Sequence, residues 1–399
     1  MNRSSKPSHD TLKPASAERL HSQPLAKEIS LIDRATALVD LTAVSQNAKY
    51  LRASAPQSQL LLAIKANAYG HGLIEIANAV SQEADYLAVA RLYEAEALRT
   101  ANINQPIVVL SDTLTQHNLN TYKTLNLTPC LFSDHNLKNQ LSLLSDKNID
   151  YWFKVNTGMN RLGVSIDFLK SNRNIFKANA FPQTIATHFV ESEIEKSELN
   201  KKQITDFKLA LDILESQHSL NRSRIKISLN NSAATINQLS SEFVEDSVNR
   251  CGIALYGAGH TDNPISNQLK PALSLWAPII DIHHIKKGET VGYNRIWKAE
   301  KDSTIATIAI GYGDGYPRHA ANGTPVLINN QRASLVGRVS MDMITVDISN
   351  VNQNKIEVGD TACLWGPKLS VETIAKHADS ISYDLLTGLS ERVVRIYRE

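Results

Sequence analysis

Short aliphatic, β-branched runs alternate with longer amphipathic segments through the first two thirds of the chain, as in strand-helix-strand units of a parallel sheet. Strands are predicted at Leu60 to Lys65, Tyr86 to Ala90, Ile107 to Ser111, Thr128 to Phe132, Asp150 to Val155, Gln183 to His188, Arg224 to Leu229 and Val248 to Leu255. Helical periodicity fills the gaps, at Val44 to Ala53, His71 to Ser81, Leu92 to Ala101, Thr115 to Leu125, Asp134 to Asp146, Ile166 to Ala178, Asn200 to Glu215 and Ala233 to Leu239. Such a count over about 220 residues predicts a closed (β/α)8 TIM-type barrel, with an open doubly wound sheet as the alternative. After Gly257 the texture changes to short strands punctuated by Gly, Asn and Pro, at Ala277 to His284, Ser303 to Ala309, Thr324 to Ile328, Ala333 to Val336, Met343 to Asp347 and Thr361 to Leu364. That pattern predicts a mostly β C-terminal domain. The expected division is a tail over 1–33, a barrel over 34–262 and a β-rich domain over 263–399.

Composition narrows the functional classes. The 42 Lys and Arg are interspersed with 40 Asp and Glu for a net charge of +2, so no basic stripe suited to nucleic acid appears. No stretch approaches the about 20 apolar residues that cross a bilayer. Cys130, Cys251 and Cys363 are widely spaced and form no zinc-binding pattern, which predicts reduced thiols and no metal site. The first 30 residues contain Pro7, Pro14 and Pro24 but no aromatic residue and no signal-type apolar run. A cytoplasmic location is expected.

In a barrel, the loops after the strands form one open face where chemistry collects. Lys65 ends the first predicted strand, His188 the sixth, Asn231 and Ser232 follow the seventh, and Arg250 and Gly252 lie at the eighth. Lys65 follows Leu60, Leu61, Leu62, Ala63 and Ile64, a low-dielectric approach that favours the neutral amine needed for Schiff-base chemistry. A strand-end lysine that merely reaches for solvent explains the same residue. Ser232, heading a helix, and the amides of Gly252 and Ile253 suit a phosphate, with Tyr69 as a further donor. Ser232 is equally well read as a helix N-cap.

Eight motifs in order resemble the alanine racemase family: Lys65-Ala-Asn-Ala-Tyr69-Gly-His71-Gly72, Lys154-Val-Asn-Thr-Gly158-Met-Asn-Arg161, Thr187-His188-Phe189, Asn231-Ser232, Arg250-Cys251-Gly252-Ile253, Val291-Gly292-Tyr293, Gly311-Tyr312-Gly313-Asp314-Gly315, and Gly337-Arg338-Val-Ser-Met341-Asp342. The resemblance covers the chain from about residue 35 onward. It implies an isomerase that interconverts L- and D-alanine and supplies D-alanine for the cell wall. It implies pyridoxal 5'-phosphate on Lys65, with Tyr69, Ser232, Gly252 and Ile253 at the phosphate and Arg250 at the pyridine nitrogen. An arginine, always protonated, cannot give that nitrogen a proton, so a long-lived carbanion is disfavoured while proton exchange at Cα remains.

Racemisation needs an acid/base on each face of Cα. The resemblance assigns the D face to Lys65 and the L face to Tyr293 of a second subunit, hence a homodimer with shared sites, with His188 and Arg250 as candidates to stabilise the phenolate. Arg161 is implied at the substrate carboxylate or the cofactor phenol oxygen and Met341 at the substrate, with Tyr312 and Asp342 in support. It implies a carbamylated Lys154 that orients Arg161, an idea that a bare ammonium in electron density there would sink. One departure stands out: Glu391 occupies the position where some members place a tyrosine that reaches the phosphate. The rival functions are a broad-specificity amino-acid racemase of the same fold, a decarboxylase of the same cofactor class, which Arg250 disfavours by standing where a carboxylate belongs, and a cofactor-binding protein without turnover.

Overall fold

A computed structural model describes residues 32–144, 149–176, 181–243, 246–259, 268–352 and 356–399. The predicted tail over 1–33, the helix ends at Asp146 and Ala178 and most of the polar stretch between the domains fall at least partly outside the described residues.

The first strand, β1 (Thr36–Asp40), is followed by the barrel strands β2 (Gln59–Ala63), β3 (Tyr86–Val89), β4 (Ile107–Val109), β5 (Leu127–Leu131), β6 (Trp152–Asn156), β7 (Thr184–Ala186), β8 (Lys226–Ser228) and β9 (Val248–Cys251). From β2 to β8 each barrel strand pairs in parallel with the next, and β9 returns to β2. A parallel bridge between Ile227 and Ser247 closes the ring between β8 and β9. The closed barrel is therefore what forms, and the open sheet is not.

Strand alternation sorts each side chain to one side of the barrel wall. Leu61, Tyr86, Ala88, Val108, Cys130, Trp152, Ala186 and Val248 make a separate buried cluster, the barrel interior. Their strand neighbours Leu60, Leu62, Leu87, Val89, Ile107 and Val109 pack outward into the main core with the helices. Two residues further along the inward rows come Ala63 and then Lys65, Lys154, His188 and Arg250. Period-2 geometry thus stacks these polar residues above the apolar filling, at the mouth formed by the strand C-termini.

The second domain is built on β10 (Leu273–Ile285), β11 (Ser303–Ile308), β12 (Pro325–Ile328), β13 (Gln331–Leu335), β14 (Ile344–Asp347), β15 (Thr361–Trp365) and β16 (Val394–Arg398). Their order is β11-β14-β13-β12-β15-β10-β1-β16, with β10 also pairing β11. The 13-residue β10 bends at two register shifts and serves partners on both sides.

Three details differ from the sequence reading. Thr36–Asp40, assigned there to the barrel, is a strand of the second domain, antiparallel to β10 and parallel to β16. It alternates in no visible way, because four of its five residues are buried. β16 went unpredicted, its buried positions being few and interleaved with Arg395 and Arg398. Two short helices, Val371–His377 and Ser382–Thr387, lie unpredicted within the mostly β domain. They are too short to show a helical period in sequence.

Candidate functional site

Lys65 opens a turn whose next four residues, Ala66 to Tyr69, have φ of 52° or 53°. A left-handed conformation costs an L residue about 1–2 kcal/mol, so neighbouring structure must hold this turn in place. Gly70 and Gly72 follow at φ 81° and 104°, and both approach the second domain. A Cβ on Gly70 would lie 2.0 Å from the Leu386 carbonyl oxygen, and one on Gly72 2.0 Å from Tyr397 Oη. Arg395 Nε also donates to the Gly70 carbonyl at 2.6 Å. The C-terminal segment thus braces the turn that begins at Lys65.

The mouth is crowded with cations. Burial first, and then the charge of Arg161, lowers the pKa of Lys65, while Glu94 acts in the opposite sense. Lys154 is brought down to about 8, mainly by burial and then by Arg250, Arg161 and Lys65, against an opposing contribution from Cys130. His188 falls to about 2, through burial and then Arg250, Lys154, Arg161 and Lys65. His188 is therefore neutral, and its Nδ1 accepts from Arg250 at 3.2 Å, which leaves its proton on Nε2. Arg250, lowered to about 10 by burial, remains cationic at neutral pH. Its terminal nitrogens donate to the Ser228 carbonyl at 2.8 Å, the Thr187 carbonyl at 2.6 Å and the Leu229 carbonyl at 3.2 Å. This lattice fixes the guanidinium and leaves Nε without a protein partner among the described residues. Cations crowded together in this way, three of them half-buried and Arg161 exposed, call for an anionic ligand.

Beside them is a cradle of small groups. Asn231, not Ser232, caps the helix Ser232–Ile236, its side chain accepting from Ala234 N–H at 3.0 Å. The Ser232 hydroxyl is thereby released from capping, and it accepts from Gly252 N–H at 2.9 Å and Ala254 N–H at 3.3 Å. Ile253 begins the short 3-10 helix Ile253–Tyr256. A Cβ on Gly252 would lie 2.5 Å from Tyr69 Oη, so only glycine leaves the Tyr69 hydroxyl room at this spot. The Tyr69 ring stacks on Tyr256 at 4.9 Å, which orients its hydroxyl. Hydroxyls and amides converging beside a cationic cluster fit a phosphate, and a neighbouring amine with lowered proton affinity fits an aldehyde.

Comparison with known proteins decides the family. Residues 39–260 match the family described as alanine racemase, N-terminal domain, and residues 272–397 match alanine racemase, C-terminal domain. The chain belongs to the alanine racemase family. An alanine racemase of Vesicomyosocius okutanii is 42% identical over 362 residues, covering 89% of this chain and 96% of the relative. One from Alteromonas mediterranea is 36% identical, covering 91% and 98%. Among solved structures, the biosynthetic alanine racemase of Pseudomonas aeruginosa superposes with a TM-score of 0.83 at 33% identity, covering 92% of this chain and all of that one. The Bartonella henselae alanine racemase, solved with covalently bound pyridoxal phosphate, gives 0.81 at 30% identity over 91% of this chain and 99% of that one.

The remaining family-type residues lie on the second domain. Gly292, which directly precedes Tyr293, packs beside Gly337 and Arg338, a Cβ on Gly292 falling 3.3 Å from Arg338 N. Tyr312 N–H donates to the Ser340 carbonyl at 3.0 Å and Gly313 N–H to the Met341 carbonyl at 2.8 Å. One segment, 337–342, which carries Met341, therefore meets both the Gly292 turn that leads into Tyr293 and the backbone of Tyr312. Arg392 braces its end, pairing with Asp342 at 2.8 Å and with the buried Asp314 at 3.1 Å. Tyr293 is 66% exposed and Met341 53%, so in an alanine racemase built this way they face outward from their own chain.

Glu391 is exposed; burial lowers the proton affinity of Arg395, and the charges of Tyr397 and then Glu391 only partly oppose that. A phenol nevertheless stands near the cradle: Tyr383, from Ser382–Thr387, lies 6.0 Å from the Tyr69 ring. Tyr383 and Glu94 both escaped the sequence reading. A Tyr in a short unpredicted helix carries no local signal, and a Glu at the third position of a helix reads as an ordinary solvated cap.

Proposed function

We propose that this chain racemises alanine with pyridoxal 5'-phosphate bound at Lys65. The observation that carries the reading is the convergence of Lys65, Lys154, Arg161 and Arg250 on one barrel mouth, beside the cradle of Tyr69, Ser232 and Gly252. Tyr69 and Ser232, with the amide of Ile253 and that of Gly252 once it turns from Ser232 Oγ, would hold the phosphate, and Arg250 Nε would meet the pyridine nitrogen. When bound, the cofactor withdraws electrons from the substrate Cα so that its hydrogen can leave as a proton.

The protein's own groups then determine the outcome. Lys65 Nζ, with its depressed proton affinity, takes or returns a proton on the D face. Tyr293 Oη does so on the L face, assisted by His188, whose Nε2–H is free to stabilise a phenolate. Arg161 anchors the substrate carboxylate, and Met341, Tyr312 and Asp342 bound the pocket from the second domain. Lys154, its pKa lowered to about 8, is neutral in about a tenth of molecules at pH 7, and that fraction can take up carbon dioxide as a carbamate with release of a proton, the anion that would orient Arg161. Because Arg250 stays cationic, it withholds a proton from the pyridine nitrogen, which favours proton exchange over slower side reactions.

Tyr293 and Met341 reach a cofactor only if they serve another chain, so the active species is a homodimer with shared sites. Their exposure supports this, together with Ile296 and Met343 on the same domain, because such clustered apolar surface marks an interface. A cytoplasmic location is supported by the free, buried Cys130, Cys251 and Cys363. Assay of the purified protein on a panel of amino acids with chiral detection tests the substrate. Alanine is expected to turn over fastest, and faster racemisation of serine or lysine would overturn the assignment.

A further inference from the structure

Four consecutive left-handed residues persist only where surrounding structure over-determines them. Arg395 and Leu386 hold the far end of the turn at Gly70. At the near end a single carboxylate does so. Glu94, only 4% exposed, accepts from Ala66 N–H at 2.6 Å through Oε1. Its Oε2 accepts from Ala90 N–H at 2.8 Å and Arg91 N–H at 2.9 Å. The last two bonds are those of a helix cap, since Glu94 is the third residue of Leu92–Thr100. The first is not. Ala66 lies on the neighbouring strand-to-helix connection, and it directly follows Lys65.

We propose that Glu94 is a positioning residue for Lys65: its carboxylate ties the peptide after Lys65 to the end of β3. The proposal rests on the reading that Lys65 carries the cofactor. Lys154 on β6, Arg161 in the loop after it and His188 just past β7 share the mouth with the amine. Arg91 and Asp112 flank Glu94 but pair with each other at 3.2 Å, so they leave its charge to act on the mouth. Glu94 favours the protonated amine, against burial and Arg161. Without it, nothing in that balance restrains the fall.

The test uses the full chain loaded with pyridoxal phosphate, as wild type, Glu94→Gln and Glu94→Asp. Three quantities are read: the pH midpoint of the bound cofactor's absorbance, amide hydrogen exchange over residues 65–72, and the melting temperature. Glu94→Gln is expected to move the midpoint down by about one pH unit, the effect of losing a nearby opposite charge, and to speed exchange in 65–72. Glu94→Asp keeps the charge but shortens the reach, so exchange should rise while the midpoint holds. A Glu94→Gln protein that melts lower with both midpoint and local exchange unchanged would show a helix cap only and overturn the proposal. If Glu94→Gln does not fold, unchanged exchange over 65–72 in Glu94→Asp overturns it instead. Borohydride failing to fix the cofactor to Lys65 in the wild type would refute the cofactor reading, and the exchange data would still decide whether Glu94 holds the turn.

Discussion

Lys65→Ala is expected to yield a colourless, folded protein whose alanine racemisation falls by at least about 10^4-fold, the upper range for one positioned acid/base, because the cofactor's attachment is lost with it. Folding should survive, since the substitution removes a desolvated ammonium that Arg161 repels. The melting temperature of the cofactor-free chain is expected to hold or rise. Absorbance of the purified protein, chiral assay and a thermal melt check the three parts separately. A variant that remains yellow and active would place the cofactor elsewhere.

Tyr293→Phe is expected to slow racemisation by about 10^2- to 10^4-fold in both directions, because each direction needs one group to remove the proton and another to deliver it. Cofactor binding should be untouched, since Tyr293 is exposed on the second domain, next to the Gly292 that packs on Gly337 and Arg338, and not on the Lys65 turn of its own chain. The two faces then separate. Exchange of the Cα hydrogen of D-alanine with deuterated water should continue through Lys65, while that of L-alanine stops. Proton magnetic resonance of each enantiomer incubated with the variant reads this asymmetry, and undiminished exchange from L-alanine would remove Tyr293 from the mechanism.

Much of the barrel was legible in sequence for a physical reason. Parallel strands buried on both faces are written as unbroken runs such as Leu60-Leu61-Leu62, and their helices carry a clear amphipathic period. The mouth residues were legible because strand ends are short steps from those runs. β1 was not, since its partners β10 and β16 lie more than 200 residues away in sequence, and long-range pairing leaves no local trace. The cradle was half visible. Ser232 stood out as a possible cap, but that Asn231 takes the capping bond and frees Ser232 depends on Asn231 side-chain geometry. Glu94 illustrates the limit most clearly, because its sequence signature is that of an exposed helix cap, while its burial and its bond to Ala66 arise only when β2 and β3 lie side by side.

The central claim is that one catalytic site takes Lys65 from one chain and Tyr293 from another. Lys65→Ala and Tyr293→Phe chains, co-expressed with different tags and purified through both, give a dimer holding one of each. In that dimer one site has lost both groups and the other retains both, so activity of about half the wild-type value per dimer is predicted. Activity no higher than that of the separate variants, or failure to recover any doubly tagged species, would contradict it.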